Sequence, residues 1–92
     1  MSNAVRDNAA RRRFELDAEG QVAYSNYTRE GRVLTLLHTE VPKALEGRGI
    51  GSALVKGILE RARAEGLTVV PRCPFVKGYI ERHREEYADL LT

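Results

Sequence analysis

The apolar residues of this 92-residue chain change their spacing at a glycine-rich segment close to its middle. Before that segment, apolar and polar residues alternate from Phe14 to Glu40, which is typical of β-strands. After it, apolar residues recur every three or four positions over 51–65, which predicts an amphipathic helix of about four turns. The fold must therefore combine strands with helices, in that order along the chain.

Three strands are predicted around 14–16, 21–27 and 32–40, because turn-forming residues separate these alternating runs. We expect them to pair as an antiparallel meander. The third strand carries apolar residues on both of its faces. This pattern is typical of a strand that lies inside a sheet and is covered by helices.

The second half of the chain predicts a crossover unit. Gly66 is expected to end the long helix, and a short strand follows over 67–70. A strand, a helix and a second strand in this order place the two strands parallel. Helical spacing returns over 74–83, and a last short helix follows it. The predicted class is α/β (α+β), with a mixed sheet, an antiparallel N-terminal meander, a β-α-β crossover and C-terminal helices.

Composition and charge narrow the class of protein. Apolar residues make up 42% of the chain and charged residues 30%, which is typical of a globular domain. We expect one domain over 13–92, preceded by a disordered or frayed stretch over 1–12. The net charge of +2 is too small to indicate nucleic-acid binding. The cluster Arg11–Arg13 is more typical of solvent-exposed residues that precede the first strand. No apolar run approaches the ~20 residues that span a membrane. The single cysteine, Cys73, excludes an internal disulfide, so a cytoplasmic location is expected.

Three alternating glycines, Gly47, Gly49 and Gly51, stand directly before the long helix. Glycine adopts positive φ without strain and lets a ligand approach the backbone closely. A helix N-terminus offers unpaired N–H groups and a partial positive charge, so the amides of Gly49–Ser52 are predicted to face a phosphate. Arg48 is expected to add a charge-assisted hydrogen bond.

Two common phosphate-binding motifs do not match this segment. A P-loop requires Lys-Ser or Lys-Thr after its last glycine, and neither pair occurs in the chain. A dinucleotide fingerprint would require glycine at Ser52 rather than at Gly51, and it would follow the first strand of a parallel sheet instead of a meander.

The run from Val41 to Leu54 resembles the acetyl-CoA diphosphate loop of the GNAT N-acetyltransferase superfamily, whose motif is Gln/Arg-x-x-Gly-x-Gly/Ala. Gly49 and Gly51 match the two small positions, and Glu46 stands where Gln or Arg is usual. The stretches 38–42, 70–76 and 79–83 extend the resemblance to a compact, minimal GNAT-like subfamily over 14–91. Compared with that superfamily, the sequence is expected to lack the two N-terminal helices that usually help to wall the acceptor site.

The resemblance implies an acetyl-CoA-dependent N-acetyltransferase that acts on a small-molecule or peptide amine. The alternative is a module that binds acetyl-CoA or CoA with little or no transferase activity. Acetyl-CoA would lie where the third and fourth predicted strands splay apart, with its pantetheine arm paired to backbone near Glu40 and Val41. The residues predicted to contact it are Glu40, Val41, Glu46, Gly47, Arg48, Gly49, Ile50, Gly51, Ser52, Cys73 and Tyr79.

Cys73 lies between Pro71 and Pro74 and is the predicted N-cap of the helix that begins at Pro74. A helix N-terminus and the neighbouring Arg72 favour a thiolate, so one prediction is a nucleophile that accepts the acetyl group. The alternative is a small buried apolar residue. By the resemblance, Tyr79 would protonate the leaving thiolate; the alternative is a core aromatic residue.

His38 and Glu40 are expected to share a face with Leu34 and Leu36, because side chains on a strand alternate with a period of two. Either residue could deprotonate an amine acceptor if it faces the cleft. The alternatives are a partly buried histidine with satisfied hydrogen bonds at His38 and a solvated carboxylate at the end of the strand at Glu40. His83 has no metal-ligand spacing to His38 or Cys73, so no metal is predicted. A nucleic acid or a membrane is not expected as a partner, and a homodimer is left open.

Overall fold

The computed structural model describes residues 5–91. One mixed sheet holds the five strands β1 (Arg6–Asn8), β2 (Arg13–Ala18), β3 (Gln21–Glu30), β4 (Val33–Glu40) and β5 (Thr68–Pro71). The helices are α1 (Ile50–Glu65), α2 (Pro74–Arg82) and α3 (Arg84–Tyr87), with single 3-10 turns at Ala9–Arg11, Lys43–Leu45 and Ala88–Leu90. The strands lie in the order β1-β2-β3-β4-β5, antiparallel except for the parallel pair of β4 and β5. The meander and the crossover predicted from sequence are confirmed.

The core lies on one face of the sheet. Phe14, Leu16 and Leu36 point to this face, where α1 and α2 pack against them. Gly66 ends α1 in the left-handed conformation at φ 69°, as predicted. The opposite face carries no helix within residues 5–91.

The expectation that helices cover both faces of β4 is wrong. Val33 is 40% exposed and Leu37 is 42% exposed. Val33 faces the uncovered side of the sheet, opposite to its neighbour Leu34. Leu37 is exposed for a different reason, a β-bulge that also changes the face to which the following side chains point.

A β-bulge at Leu37 reverses the alternation of β4. Asn26 of β3 pairs with His38, and the next residue, Tyr27, pairs with Leu36, so Leu37 is an extra residue without a partner. The prediction that His38 and Glu40 share the face of Leu36 is therefore wrong. Thr39 takes that face instead, beside Ser25 of β3.

The N-terminal segment also differs from the expected frayed stretch over 1–12. Arg6–Asn8 forms β1 and pairs with β2 in register, Arg6 opposite Glu15. Residues 1–4 of that expectation lie outside the described residues. The strand forms because its side chains meet a buried carboxylate on β2, which is a contact between residues distant in sequence.

That carboxylate belongs to Glu15, which is only 4% exposed. It accepts hydrogen bonds from Arg13 Nε at 2.6 Å, Asn8 Nδ2 at 3.0 Å and Arg6 Nη2 at 2.6 Å. Arg13 also lies over the ring of Tyr24 at 4.3 Å. The hydrogen bond from Arg13 leads the causes that lower the pKa of Glu15 to about 2, against the opposing effect of burial.

Replacing Glu15 with glutamine is expected to lower the free energy of unfolding at pH 7 by up to roughly 3 kcal/mol. Because the folded-state pKa lies below the unfolded one, this contribution is complete above about pH 4.5 and is lost as the pH falls toward 2. Urea unfolding at pH 7 and pH 3 measures it. Asp17→Asn is the matched control, since Asp17 is an exposed partner of Arg6 and should matter little. Equal losses in both variants, or a loss from Glu15→Gln that does not depend on pH, would contradict this account.

Candidate functional site

The parallel strands β4 and β5 separate after Leu36. Their pairing covers Val33 to Leu36 on β4 and ends at Pro71 on β5. The amides of Arg72 and Cys73 then donate to the single carbonyl of Leu36, at 3.0 and 2.9 Å. Beyond this point β4 continues along β3 to Glu40, while the chain after β5 turns into α2. A wedge-shaped opening results, as predicted, with the edge of β4 on one side.

The glycine segment, Gly47 to Gly51, lies at one end of this opening. Gly47 and Gly49 have φ values of +82° and +75°, which glycine adopts without strain. Gly49 is the N-cap of α1 and supplies no side chain to the first turn; the first helical hydrogen bond runs from Ala53 N to Gly49 O at 2.9 Å. Within residues 5–91, the N–H groups of Ile50–Ser52 therefore have no hydrogen-bond acceptor.

A cleft of about 400 Å³ opens between these amides and the end of β4. It is lined by Thr39, Glu40, Val41, Leu45, Glu46, Gly47, Gly49, Ile50, Gly51, Ser52 and Phe75. Side chains do not plug the loop, because a Cβ added at Gly47 or at Gly49 would meet nothing within 4 Å.

Gly51 has a different role from its two neighbours. A Cβ at Gly51 would lie 2.8 Å from Cζ of Phe75 and 3.3 Å from Cγ2 of Val41. The missing side chain lets the Phe75 ring of α2 lie directly against the start of α1. Phe75 thereby forms a wall of the cleft and remains 42% exposed.

The charged side chains that line the cleft are both acidic. Glu40 and Glu46 line it, and no lysine or arginine of the described chain does. Arg48, predicted to contact the phosphate, instead forms an exposed ion pair with Glu19 in the turn between β2 and β3. Any anion in this cleft is therefore held by backbone amides and the partial charge of the helix.

His38 and Glu40 are on the uncovered face of the sheet and contact each other, His38 Nε2 to Glu40 Oε2 at 2.7 Å. Both side chains are more than half exposed. Glu40 also lines the cleft, whereas His38 does not. Of the two predicted bases, Glu40 is the one placed at the cleft.

Cys73 is the N-cap of α2, with Pro74 in the first helical position, as predicted. Its side chain is 3% exposed and does not line the cleft. The thiol donates to Oγ1 of Thr39 at 3.4 Å, and this hydroxyl also contacts the Ser25 hydroxyl at 3.1 Å. Thr39, which lines the cleft, is therefore in contact with the buried thiol.

Tyr79 lies away from the cleft, in an aromatic cluster of α2 and α3. Its ring stacks on His83 at 4.3 Å and is 6.0 Å from the ring of Tyr87. Burial raises its pKa. This placement fits the core aromatic residue weighed as its alternative, and a role for Tyr79 as proton donor stays a prediction.

Three cleft residues were not predicted as site residues: Thr39, Leu45 and Phe75. Thr39 was missed because the bulge at Leu37 cannot be read from the alternation. Phe75 belongs to the helical spacing over 74–83, which by itself indicates only an apolar helix face. The sequence feature that could have indicated the position of Phe75 is Gly51, since a glycine inside a helix often indicates that another group packs closely there.

No group of three or more His, Cys, Asp or Glu side chains within residues 5–91 is placed to hold a metal ion. In the same part of the chain, the helices are too short or too polar to cross a membrane.

Comparisons with known proteins agree with this geometry. A family model described as GCN5-related N-acetyl-transferase matches residues 13–90. Protein NATD1 from Gallus gallus and from Mus musculus is 36% identical over 52 residues, which is 56% of this chain and 47% of each relative. The match thus spans about half the length of these curated relatives. The chain is also similar to a GCN5-like candidate N-acetyltransferase from Staphylococcus aureus, solved by NMR, with a TM-score of 0.72 and 28% identity over 100% of this chain and 91% of that one.

Proposed function

The chain belongs to the GCN5-related N-acetyltransferase family, and on that premise we propose that it transfers the acetyl group of acetyl-CoA to a primary amine. The observation that carries the proposal is the set of unpaired amides of Ile50–Ser52 at the head of an open cleft. Three converging N–H groups at a helix N-terminus match the oxygens of a diphosphate.

The rest of acetyl-CoA is proposed to follow the exposed edge of β4. Thr39, Glu40 and Val41 line the cleft where β5 has already ended, so their backbone is accessible to the amide groups of pantetheine. A ligand that extends from the amides of α1 along this edge brings its thioester toward the point where β4 and β5 separate. Phe75 covers the opposite side.

Glu40 is proposed as the general base of the transfer. Through intervening water, its carboxylate takes a proton from the acceptor ammonium ion, and the neutral nitrogen then attacks the thioester carbonyl carbon. The new C–N bond forms, the C–S bond breaks, and the nitrogen gives its surplus proton, through water, to the leaving CoA thiolate. His38 positions the carboxylate through its 2.7 Å contact and does not itself line the cleft.

Direct transfer predicts that Cys73→Ala retains most of the activity, because the Cys73 side chain is buried and does not line the cleft. The covalent route would pass through an acetyl-thioester on Cys73. Mass spectrometry after mixing the protein with acetyl-CoA measures this adduct, and thiol release measures turnover. A stable acetyl adduct on Cys73, together with loss of turnover in Cys73→Ala, would replace the direct route with the covalent one.

Replacing Glu46 with glutamine is expected to tighten acetyl-CoA binding by roughly three- to tenfold, because the substitution removes a carboxylate that lies in the cleft with the diphosphate. Calorimetric titration at low and high salt measures the effect, and the difference from wild type should shrink as salt screens the charge. Glu81→Gln removes an equal charge from α2, away from the cleft, and is the control. Weaker binding in Glu46→Gln would mean that Glu46 holds the ligand rather than repelling it.

The proposed function is tested by titrating the protein with acetyl-CoA and then measuring thiol release with a panel of amines. The proposal requires binding and amine-dependent release of CoA. Binding without turnover for any amine would favour the alternative of a CoA-binding module, for which the uncovered face of the sheet is the supporting observation.

A further inference from the structure

Two hydroxyl groups are in contact at the end of the cleft where β4 and β5 separate. They belong to Ser25 of β3 and Thr39 of β4, whose Oγ and Oγ1 atoms are 3.1 Å apart. We propose that the Thr39 hydroxyl donates a hydrogen bond to the sulfur of CoA and stabilises the thiolate that leaves when the C–S bond breaks. This inference rests on the proposed acetyl transfer and makes Thr39 a catalytic residue.

Thr39 lies beside the point where the two strands separate. The Cys73 amide donates to the Leu36 carbonyl at 2.9 Å, and the Cys73 thiol contacts the Thr39 hydroxyl at 3.4 Å. The bulge at Leu37 brings Thr39 onto the face of Leu36. Leu37 and His38 do not line the cleft, so Thr39 is the first residue of β4 beyond the separation that does. Its hydroxyl is therefore one side chain away from the Leu36 carbonyl.

Hydrogen bonds within the protein set the direction of this hydroxyl. Ser25 is completely buried, and Thr39 Oγ1 is the one partner of its side chain within residues 5–91, so the Ser25 O–H donates to Thr39. The Cys73 S–H donates to the same oxygen. Both lone pairs of Thr39 Oγ1 are then occupied, and its own hydrogen has no acceptor in this part of the chain. The open space beside it is the cleft, so the Thr39 O–H is oriented as a donor toward a bound ligand.

The charges of the cleft explain why a leaving thiolate needs such a donor. Glu40 and Glu46 are the charged side chains of the lining, so a new negative charge can be stabilised only by neutral N–H and O–H groups. Two hydroxyl side chains line the cleft: Ser52 in the first turn of α1, at the proposed diphosphate end, and Thr39 at the opposite end. CoA that extends from α1 along β4 reaches Thr39 with its sulfur, the last atom of the pantetheine arm. A hydrogen bond to a charged acceptor is stronger than one to a neutral acceptor, so this contact favours the thiolate over the thioester.

The test replaces Thr39 with valine, which has the same shape without the hydroxyl, and with serine, which keeps the hydroxyl. The first measurement is the pKa of the CoA thiol in the complex, followed by NMR of CoA labelled with ¹³C at the carbon bonded to sulfur. We expect this pKa to lie below that of free CoA in the wild type and in Thr39→Ser, and to rise in Thr39→Val. The second is kcat for thiol release, which should fall by about 10- to 100-fold in Thr39→Val while acetyl-CoA binds as before.

Thr35→Val is the matched control, because Thr35 is on the same strand, faces the uncovered side of the sheet and does not line the cleft. The double variant Ser25→Ala, Thr39→Val leaves no buried Ser25 hydroxyl without a partner and should behave as Thr39→Val does, if the single variant is unstable. An unchanged thiol pKa in Thr39→Val, or an equal change in Thr35→Val, would overturn the inference. Because this titration needs no turnover, that result would leave the proposed acetyl transfer standing. A wild-type protein that does not bind CoA would overturn both.

Discussion

Replacing Ser52 with aspartate is expected to weaken acetyl-CoA binding by at least about hundredfold and to leave the protein as stable as the wild type or more so. Ser52 is in the first turn of α1, where a carboxylate is favourable to the helix by roughly 0.3–1 kcal/mol. The same carboxylate would lie among the amides proposed to hold the diphosphate. Two like charges about 4 Å apart near a protein surface repel each other by roughly 4 kcal/mol.

Ser52→Asn is the control for this prediction, because asparagine has the shape of aspartate without its charge. It should lose far less affinity, and thermal unfolding should show that neither variant is destabilised. Calorimetric titration with acetyl-CoA gives the affinities. Equal losses in both variants would assign the effect to side-chain volume, and full affinity in Ser52→Asp would remove the diphosphate from the start of α1.

Replacing Glu40 with glutamine is expected to lower kcat for amine acetylation by about hundredfold, which is the lower end of the usual contribution of a general base. Acetyl-CoA should still bind, since its proposed contacts at this position are to the backbone of β4. Steady-state thiol release, with acetyl-CoA and the amine both saturating, measures the loss of kcat.

The comparison variant for this prediction is His38→Asn. His38 contacts Glu40 but does not line the cleft, so its removal should cost no more than roughly tenfold. A larger loss from His38→Asn than from Glu40→Gln would make His38 the base and Glu40 its partner. Unchanged kcat in both variants would exclude this pair from the chemistry.

The sequence predicts most of the architecture because its signals there are local. The change of period at the glycine segment, Gly66 at the end of α1 and Pro74 at the start of α2 each act on the few residues around them. The glycine segment belongs to the same class, since Gly47 and Gly49 adopt positive φ within the loop itself.

The features that the sequence does not predict depend on contacts between residues that are far apart along the chain. The bulge at Leu37 exists because β3 and β4 pair with a shift between Asn26 and Tyr27, and it exchanges Thr39 for His38 on the core face. The ion pair of Arg48 with Glu19 and the pairing of β1 with β2 likewise join residues far apart in the chain. A pattern read along one strand contains no information about its partner.

The most direct test of the account is a ¹H–¹⁵N NMR titration of the protein with acetyl-CoA and, separately, with pantetheine, which lacks the diphosphate. The account predicts that the amides of Ile50, Gly51 and Ser52 shift with acetyl-CoA and not with pantetheine, whereas Glu40 and Val41 shift with both. Unchanged Ile50–Ser52 amides at saturating acetyl-CoA, or equal shifts with pantetheine, would contradict it.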